Sequence, residues 1–163
     1  MISNELFEAA SEVLGLCGGR GLTLATAESC TGGLIAAALT ATPGSSRVLD
    51  RGYVTYSDAS KAAELGVPSD LIKKQGAVSE EVARAMAEGA LHRLGVDLAV
   101  AVTGIAGPGG GTPDKPVGTV WLAVTSSERT EARRIIFLGS RREIRERAAQ
   151  TALYLLERRL LAD

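Results

Sequence analysis

Three stretches of the chain carry side chains or backbone amides that could do chemistry. The first runs from Glu28 to Gly33 (ESCTGG) and places Ser29 and Cys30 in a polar turn. Amide N–H groups at a helix N-terminus have no partner inside the helix, so such a turn can stabilise an oxyanion beside a nucleophile. A helix cap explains the same spacing, because capping serines are common. Both interpretations stay open at this point.

Cys30 competes with Ser29 as the nucleophile. A thiol is intrinsically the stronger nucleophile, and a helix N-terminus lowers its pKa. Cysteine hydrolases of the familiar kind use a histidine base, and the single histidine, His92, falls near the end of a separate predicted helix. For His92 a solvated or packing role is the simpler interpretation. The residues themselves do not choose between Ser29 and Cys30.

The second stretch contains Tyr56, Ser57, Asp58 and Lys61, which bring a tyrosine and a lysine close together. A serine without a histidine needs another base, and a desolvated neutral lysine can serve. Lowering the lysine pKa from about 10.4 to about 7.5 requires about 4 kcal/mol from burial and neighbouring charges. Most lysines on short helices are surface residues, and nothing local marks Lys61 as buried. The S-x-x-K motif is absent, because Asp58 stands three residues before Lys61.

The third stretch is the loop from Thr103 to Pro116 (TGIAGPGGGTPDKP), which contains five glycines. Its backbone amides, including those at Gly104 and Gly107, can approach a phosphate or a planar ring closely. The loop fits neither the P-loop nor the dinucleotide-binding glycine pattern, so no particular ligand follows from it.

Two arginines, Arg141 and Arg145, lie one helical turn apart at the start of the last predicted helix. Together they could bind a phosphate, since guanidinium groups match phosphate geometry. Pairing of this arginine-rich segment with Glu143 and Glu146 on a solvated face accounts for the same pattern.

The hydrophobic pattern predicts which elements position these residues. We expect helices that alternate with strands for two thirds of the chain, followed by an antiparallel strand pair and a long helix. Predicted helices cover the residues after Ser3 up to Gly18–Gly19, then 34–39, 58–65, the residues after Ser79, and 141–161; predicted strands cover 22–27, 52–56, 98–103, 117–125 and 132–137. The apolar run 98–103 is typical of a central strand buried on both faces. The sequence thus predicts a mixed sheet between helices, with ligands bound at the strand ends.

Composition narrows the functional class. The 163 residues suit a single domain over 1–163, and a net charge of −1 offers no electrostatic footprint for nucleic acid or an anionic membrane. Two cysteines and one histidine are too few for an ordinary zinc site, so we expect no metal. No apolar run is long enough for a membrane span and the N-terminal residues do not resemble a signal peptide. We therefore expect a cytoplasmic protein, and apolar helix surface favours a homodimer or higher homo-oligomer.

Several long segments in order resemble one known family, the C-terminal domain of the competence and damage-inducible protein CinA. These segments are AESCTGG at 27–33, PGSS at 43–46, RGYVTYS at 51–57 with Lys61, LGV at 65–67, GAVSEEVARAMAEGA at 76–90, TGIAGPGGG at 103–111 and KPVGTVW at 115–121. The resemblance covers nearly the whole chain. It implies a three-layer α/β/α sandwich with a mixed, mostly parallel sheet.

Stand-alone members of that family are nicotinamide mononucleotide amidases, so the resemblance implies a metal-independent amidohydrolase without a cofactor. It makes Ser29 the nucleophile, Lys61 the base and Tyr56 an assisting residue, and thereby separates Ser29 from Cys30. It also implies a substrate pocket lined by Thr103 and Gly104. The remaining predicted substrate contacts are Cys30, Thr31, Gly32, Gly33, Gly107, Arg141 and Arg145.

The function expected from this resemblance is hydrolysis of nicotinamide mononucleotide through an acyl-enzyme, as part of pyridine nucleotide salvage. Many CinA proteins also carry a large N-terminal domain with nucleotide pyrophosphatase activity, and since this chain lacks that segment we expect no pyrophosphatase activity. Two alternatives remain: a non-catalytic nucleotide-binding module that acts through a partner protein, and an amidase for a different amide.

Overall fold

The computed structural model describes residues 1–163. The helices are α1 (Asn4–Arg20), α2 (Leu34–Thr40), α3 (Asp58–Leu65), α4 (Ser69–Gln75), α5 (Glu80–Leu94) and α6 (Arg141–Ala162), and the strands are β1 (Leu24–Glu28), β2 (Leu49–Val54), β3 (Leu98–Gly104), β4 (Thr119–Ser126) and β5 (Thr130–Ile136). A short 3-10 turn, Ser45–Arg47, precedes β2.

The five strands form one mixed sheet in the order β2-β1-β3-β4-β5. Strand β1 pairs in parallel with both β2 and β3, whereas β4 is antiparallel to β3 and to β5. Only β4 therefore runs against the other strands. The predicted mixed and mostly parallel sheet is confirmed, and so is the antiparallel pair that ends it.

Helices cover both faces of the sheet and give three layers. On one face α1, α2 and α6 pack over a core that includes Leu24, Val100 and Leu122. On the other face α3, α4 and α5 pack over a second core that includes Ala25, Ala27 and Met86. Successive side chains of a strand point to opposite faces, so β3, buried along Leu98–Thr103, contributes to both cores. The predicted central strand is confirmed.

The helix starts at Ser3 and Ser79 agree with the sequence-based prediction, whereas the end of α1 and the presence of α4 do not. Ser3 and Ser79 cap their helices as predicted, each accepting a backbone N–H. The predicted stop at Gly18–Gly19 is wrong: α1 continues to Arg20 and ends at Gly21, whose φ of 65° suits the left-handed closing turn. Helix α4 was not predicted, because its N-cap is Pro68 and prolines read as breaks, although proline is tolerated before a first helical turn.

None of the helices is both long and apolar enough to cross a membrane.

Candidate active site

Three neighbouring parallel strands end together and bring the three predicted chemical segments side by side. Glu28 at the end of β1 is opposite Val102 on β3, and the Ser29 amide donates to the Val102 carbonyl at 2.9 Å. On the other side of β1, the Thr55 amide donates to the Glu28 carbonyl at 2.9 Å. Three segments therefore meet at the carboxyl ends of these strands: the turn after β1, the segment after β2 and the glycine loop after β3.

At these strand ends the Lys61 side chain contacts the Ser29 side chain. The lysine Nζ lies 3.0 Å from the serine Oγ. Ser29 is 8% exposed and Lys61 only 1% exposed, which makes Lys61 one of the largest fully buried side chains in the chain. The interpretation of Lys61 as an ordinary surface lysine is therefore wrong.

The surroundings of Lys61 Nζ suit a neutral amine. It also lies 2.8 Å from the Thr55 carbonyl oxygen and 3.4 Å from that of Tyr56. Burial lowers the pKa of Lys61 below its usual 10.5, with Asp58 and Cys30 acting in the opposite direction. A neutral amine has two N–H donors for the two carbonyls and one lone pair that can accept the Ser29 hydroxyl proton. The arrangement can therefore deprotonate the serine directly.

Helix α3 fixes the position of Lys61. It begins at a reciprocal capping box between Ser57 and Ser60, and Leu65 near its end is buried against α5. Gly89 of α5 permits that close approach, because a Cβ there would overlap the carbonyl oxygen of Leu65. Lys61 is thus carried by a short helix that is held at both ends.

Most amides of the turn after Ser29 are already hydrogen-bonded. The buried Glu28 carboxylate accepts the amides of Gly33, Ile35 and Ala36 at 2.9–3.1 Å, and the Gly32 amide donates to the Ser29 carbonyl at 3.0 Å. The expectation that the whole turn from Ser29 to Gly33 could stabilise an oxyanion is therefore too broad. Only the amides of Cys30 and Thr31 donate to no other residue of the chain.

Cys30 is a poor candidate for the nucleophile. Burial raises the pKa of its thiol to about 11, and the nearby Glu28 carboxylate acts in the same direction. A hydrogen bond from its own backbone amide lowers the pKa of Cys30, but burial raises that pKa more, so the net lowering expected at a helix N-terminus is not found. The thiol consequently stays protonated at neutral pH and Ser29 is the better placed nucleophile.

A cleft of about 280 Å³ opens beside Ser29. The three residues predicted to be catalytic all line it, and so do five of the predicted substrate contacts: Cys30, Thr103, Gly104, Gly107 and Arg141. The other four, Thr31, Gly32, Gly33 and Arg145, do not. The Thr103 hydroxyl donates to the Ala77 carbonyl at 2.9 Å, so it helps to build the wall of the cleft.

Arg141 and Tyr56 form the mouth of this cleft. Arg141 donates from Nη1 to the Gly107 carbonyl at 2.7 Å and from Nη2 to the Tyr56 hydroxyl at 2.8 Å. Tyr56 is 60% exposed. Lys61 contacts Ser29 directly, so a proton can pass between them without the expected help of Tyr56. Tyr56 instead holds Arg141 at the opening.

Arg145 points to a different place. Its Nε donates to the Cys30 carbonyl and its Nη2 to the Thr31 carbonyl, each at 3.0 Å. The expected joint binding of one phosphate by Arg141 and Arg145 is therefore not what the structure shows. The alternative of a solvated charge-paired face is wrong for both arginines as well, and only Arg142 has such a pair, a loose one at 3.9 Å with Glu146.

Glu28 is the functional side chain that sequence reasoning missed. It was noted only as the residue before Ser29, yet its carboxylate closes the N-terminus of α2. The available signal was an acidic residue at the end of an apolar strand and just before two glycines, where a helix N-terminus favours negative charge. The structure contains no group of three or more histidine, cysteine, aspartate or glutamate residues able to hold a metal ion.

Comparison with known proteins identifies relatives over nearly the whole chain. Residues 7–160 match the CinA C-terminal domain family. A CinA-like protein from Gemmatimonas aurantiaca is 54% identical over 151 residues, which are 93% of this chain and 35% of that protein. A putative competence-damage inducible protein from Symbiobacterium thermophilum is 55% identical over 87% of this chain and 35% of its own length. The chain thus spans about a third of the length of these curated relatives.

Solved structures share the fold closely. The competence/damage inducible protein CihA from Agrobacterium tumefaciens superposes with a TM-score of 0.93, at 45% identity, over 96% of both chains. The competence damage-inducible protein A (ComA) from Klebsiella pneumoniae also gives 0.93, at 40% identity, over 97% of this chain and 98% of its own.

Proposed function

The chain belongs to the CinA C-terminal domain family, and on that premise we propose that it hydrolyses the carboxamide of nicotinamide mononucleotide to nicotinic acid mononucleotide and ammonia. The reaction class rests mainly on one observation, the buried Lys61 amine 3.0 Å from the Ser29 hydroxyl. The substrate rests on the sequence resemblance and on the cleft next to that pair. Such an activity belongs to pyridine nucleotide salvage.

The reaction begins with proton transfer from Ser29 to neutral Lys61 while Ser29 Oγ attacks the carboxamide carbon. The tetrahedral oxyanion accepts a hydrogen bond from the free amide of Cys30, which lines the cleft. Protonated Lys61 then returns its proton to the leaving nitrogen, and ammonia departs from the acyl-enzyme. A water molecule, deprotonated by Lys61, attacks the ester carbonyl and releases the carboxylate and Ser29.

Anion recognition falls to Arg141 and the glycine loop. Arg141 stands at the mouth of the cleft with two of its donors on Gly107 and Tyr56, and guanidinium forks bind phosphate well. The loop adds backbone amides near Gly107, Gly109 and Gly110, which line the same cleft. A phosphate bound there extends away from Ser29, so the pyridine ring and its carboxamide reach inward.

Ammonia release from nicotinamide mononucleotide tests the proposal. We expect purified wild type to turn over and Ser29→Ala and Lys61→Ala to lose at least 10³-fold in kcat, because members of such a catalytic unit act together. Matching thermal unfolding curves show that the variants are folded. Arg142→Ala is the matched control, since this arginine is exposed and outside the cleft, and it should keep wild-type activity.

A non-catalytic nucleotide-binding module is the rival, in which the chain acts through a partner protein. Wild type that binds the mononucleotide but releases no ammonia would favour it. Nicotinamide, its riboside and its mononucleotide assayed side by side separate a nucleotide amidase from an amidase for another amide, since only the mononucleotide offers Arg141 a phosphate.

A further inference from the structure

The two carbonyls held by Arg145 belong to consecutive peptide groups of the turn that follows Ser29. Arg145 comes from α6, more than a hundred residues along the chain, and its Nε and Nη2 bind Cys30 O and Thr31 O at 3.0 Å each. The contact is close on the glycine side too, because a Cβ at Gly32 would lie 3.0 Å from Arg145 Nη2. One planar guanidinium thus fixes two peptide planes.

Peptide planarity links those carbonyls to the amides that face the other way. In a trans peptide the C=O of one residue and the N–H of the next point in opposite directions. With Cys30 O turned to Arg145, the Thr31 N–H points away from α6; with Thr31 O turned likewise, the Gly32 N–H also points away and donates to Ser29 O. The direction of the Gly32 N–H is observed in its hydrogen bond to Ser29 O, and this supports the direction inferred for the Thr31 N–H.

The charge of Arg145 also acts on the Thr31 N–H, through the peptide group that joins Cys30 to Thr31. A cationic donor on the Cys30 carbonyl polarises the peptide and makes the Thr31 N–H a stronger donor, since hydrogen bonds in a chain reinforce one another. That amide is one of only two in the turn without a partner. Glu28 fixes the helical side of the turn while Arg145 fixes its carbonyl side, and the two free amides are left between them.

We propose that Arg145 is a positioning residue for the turn that carries the oxyanion-binding amide of Cys30, and that it does not bind the substrate phosphate. This inference rests on the proposed acyl transfer at Ser29. Arg145 binds the turn and does not line the cleft, whereas Arg141 lines the cleft and stands at its mouth. The two arginines lie one helical turn apart but have different roles: Arg145 holds the turn after Ser29, and Arg141 faces the substrate at the mouth of the cleft.

The test compares Arg145→Ala with Arg141→Ala in steady-state assays of ammonia release. Removing one oxyanion donor costs on the order of 10²-fold in kcat, so we expect a loss of that size for Arg145→Ala with KM changed less than threefold. Arg141→Ala should instead raise KM. Arg145→Lys, whose ammonium lacks the planar fork, should recover only a small part of kcat.

Chemical rescue separates positioning from simple folding damage. Guanidinium at millimolar concentration should raise kcat of Arg145→Ala at least tenfold, by refilling the place of the side chain, and leave wild type and Arg142→Ala unchanged. A KM increase with unchanged kcat would make Arg145 a substrate ligand and overturn the proposal. A folded variant with wild-type kcat, or one that guanidinium does not rescue, would overturn it as well.

A substrate-independent readout keeps this inference distinct from the proposed function. A small fluorophosphonate reacts with an activated serine through a transition state that also places charge on an oxygen near the turn. If wild type releases no ammonia yet reacts with this probe, and Arg145→Ala reacts at least tenfold more slowly, the substrate assignment fails while the positioning role stands. If wild type neither releases ammonia nor reacts, both fail.

Discussion

At the scale of single residues, the proposed chemistry depends on the protonation of Lys61. Only its neutral form can accept the Ser29 proton, and burial lowers its pKa below 10.5. Activity should therefore be lost as the pH falls through the lowered pKa, and should appear below the pH at which a free lysine deprotonates. Asp58 raises that pKa, so Asp58→Asn should move the rising limb to lower pH.

Ammonia release measured from pH 5.5 to 10 checks this prediction. The rising limb of kcat/KM reports the base in the free enzyme. A profile that is flat over the whole range, or an Asp58→Asn limb displaced to higher pH, would remove Lys61 from the role of base.

The same lysine gives stability a defined pH dependence. Because its pKa is lower in the folded state, the unfolded chain binds more protons between that lowered pKa and 10.5, and the free energy of unfolding rises with pH across this window. The cost of a buried ammonium is full below the lowered pKa and disappears as the pH approaches 10.5. Each unit by which folding lowers the Lys61 pKa corresponds to about 1.4 kcal/mol in the free energy of unfolding.

Lys61→Met removes the titrating group and keeps an apolar chain of comparable length. The difference in unfolding free energy, wild type minus variant, should therefore become more favourable to wild type from pH 7 to 9.5. Urea denaturation at several pH values measures it. A difference that is constant with pH would show that the pKa of Lys61 is not lowered.

The residue types at the site were readable in the sequence, whereas their hydrogen bonds were not. Ser29 after an apolar strand and before two glycines marked the turn, and the family resemblance added Lys61. The burial of Lys61 depends on how α3 packs on α5, and the separate targets of Arg141 and Arg145 depend on where α6 crosses two loops. These are tertiary contacts, and neither propensity nor periodicity encodes them.

At the scale of elements, α3 has to dock closely on α5 for Lys61 to reach Ser29. Gly89→Ala would push its Cβ into the Leu65 carbonyl, so α3 must shift. We expect about 1–3 kcal/mol of lost stability and at least a tenfold lower kcat, because a small displacement of a catalytic group is costly. Urea unfolding and ammonia release measure the two effects.

Gly19→Ala provides the matched comparison for that variant. Gly19 also lies inside a helix, α1, but a Cβ there would meet nothing within 4 Å. Removing a helical glycine at an open position should stabilise the protein by up to about 1 kcal/mol and leave activity unchanged. If Gly89→Ala behaved in the same way as Gly19→Ala, the docking of α3 would not matter for catalysis.

The element order was largely predictable, and the exceptions have physical causes. Alternating, β-rich or continuous apolar stretches predicted the five strands, and helix α3 was predicted with its observed limits, Asp58–Leu65. Helix α1 ran past Gly18 and Gly19 because α1 packs against the rest of the fold, and packing outweighs the roughly 1 kcal/mol disadvantage of each glycine. Pro68 concealed α4 because a proline was interpreted as a break, although proline is also common at helix starts.

At the scale of the whole molecule, the distribution of possible ligands predicts that no metal is needed. No three histidine, cysteine, aspartate or glutamate side chains come together anywhere in the structure. Prolonged dialysis against EDTA should therefore leave ammonia release within twofold of the untreated rate. A loss that zinc or manganese restores would contradict this, and would require ligands supplied from outside the chain.

The order in which the site is assembled along the chain has a consequence for protein synthesis. Ser29 and Lys61 precede, along the chain, both the strand that binds the Ser29 amide and the helix that carries Arg145. A nascent chain that ends before α6 holds a serine and a lysine without the arginine that shapes the turn between them. If the proposed hydrolysis depends on that arginine, it reaches its full rate only after translation has delivered α6.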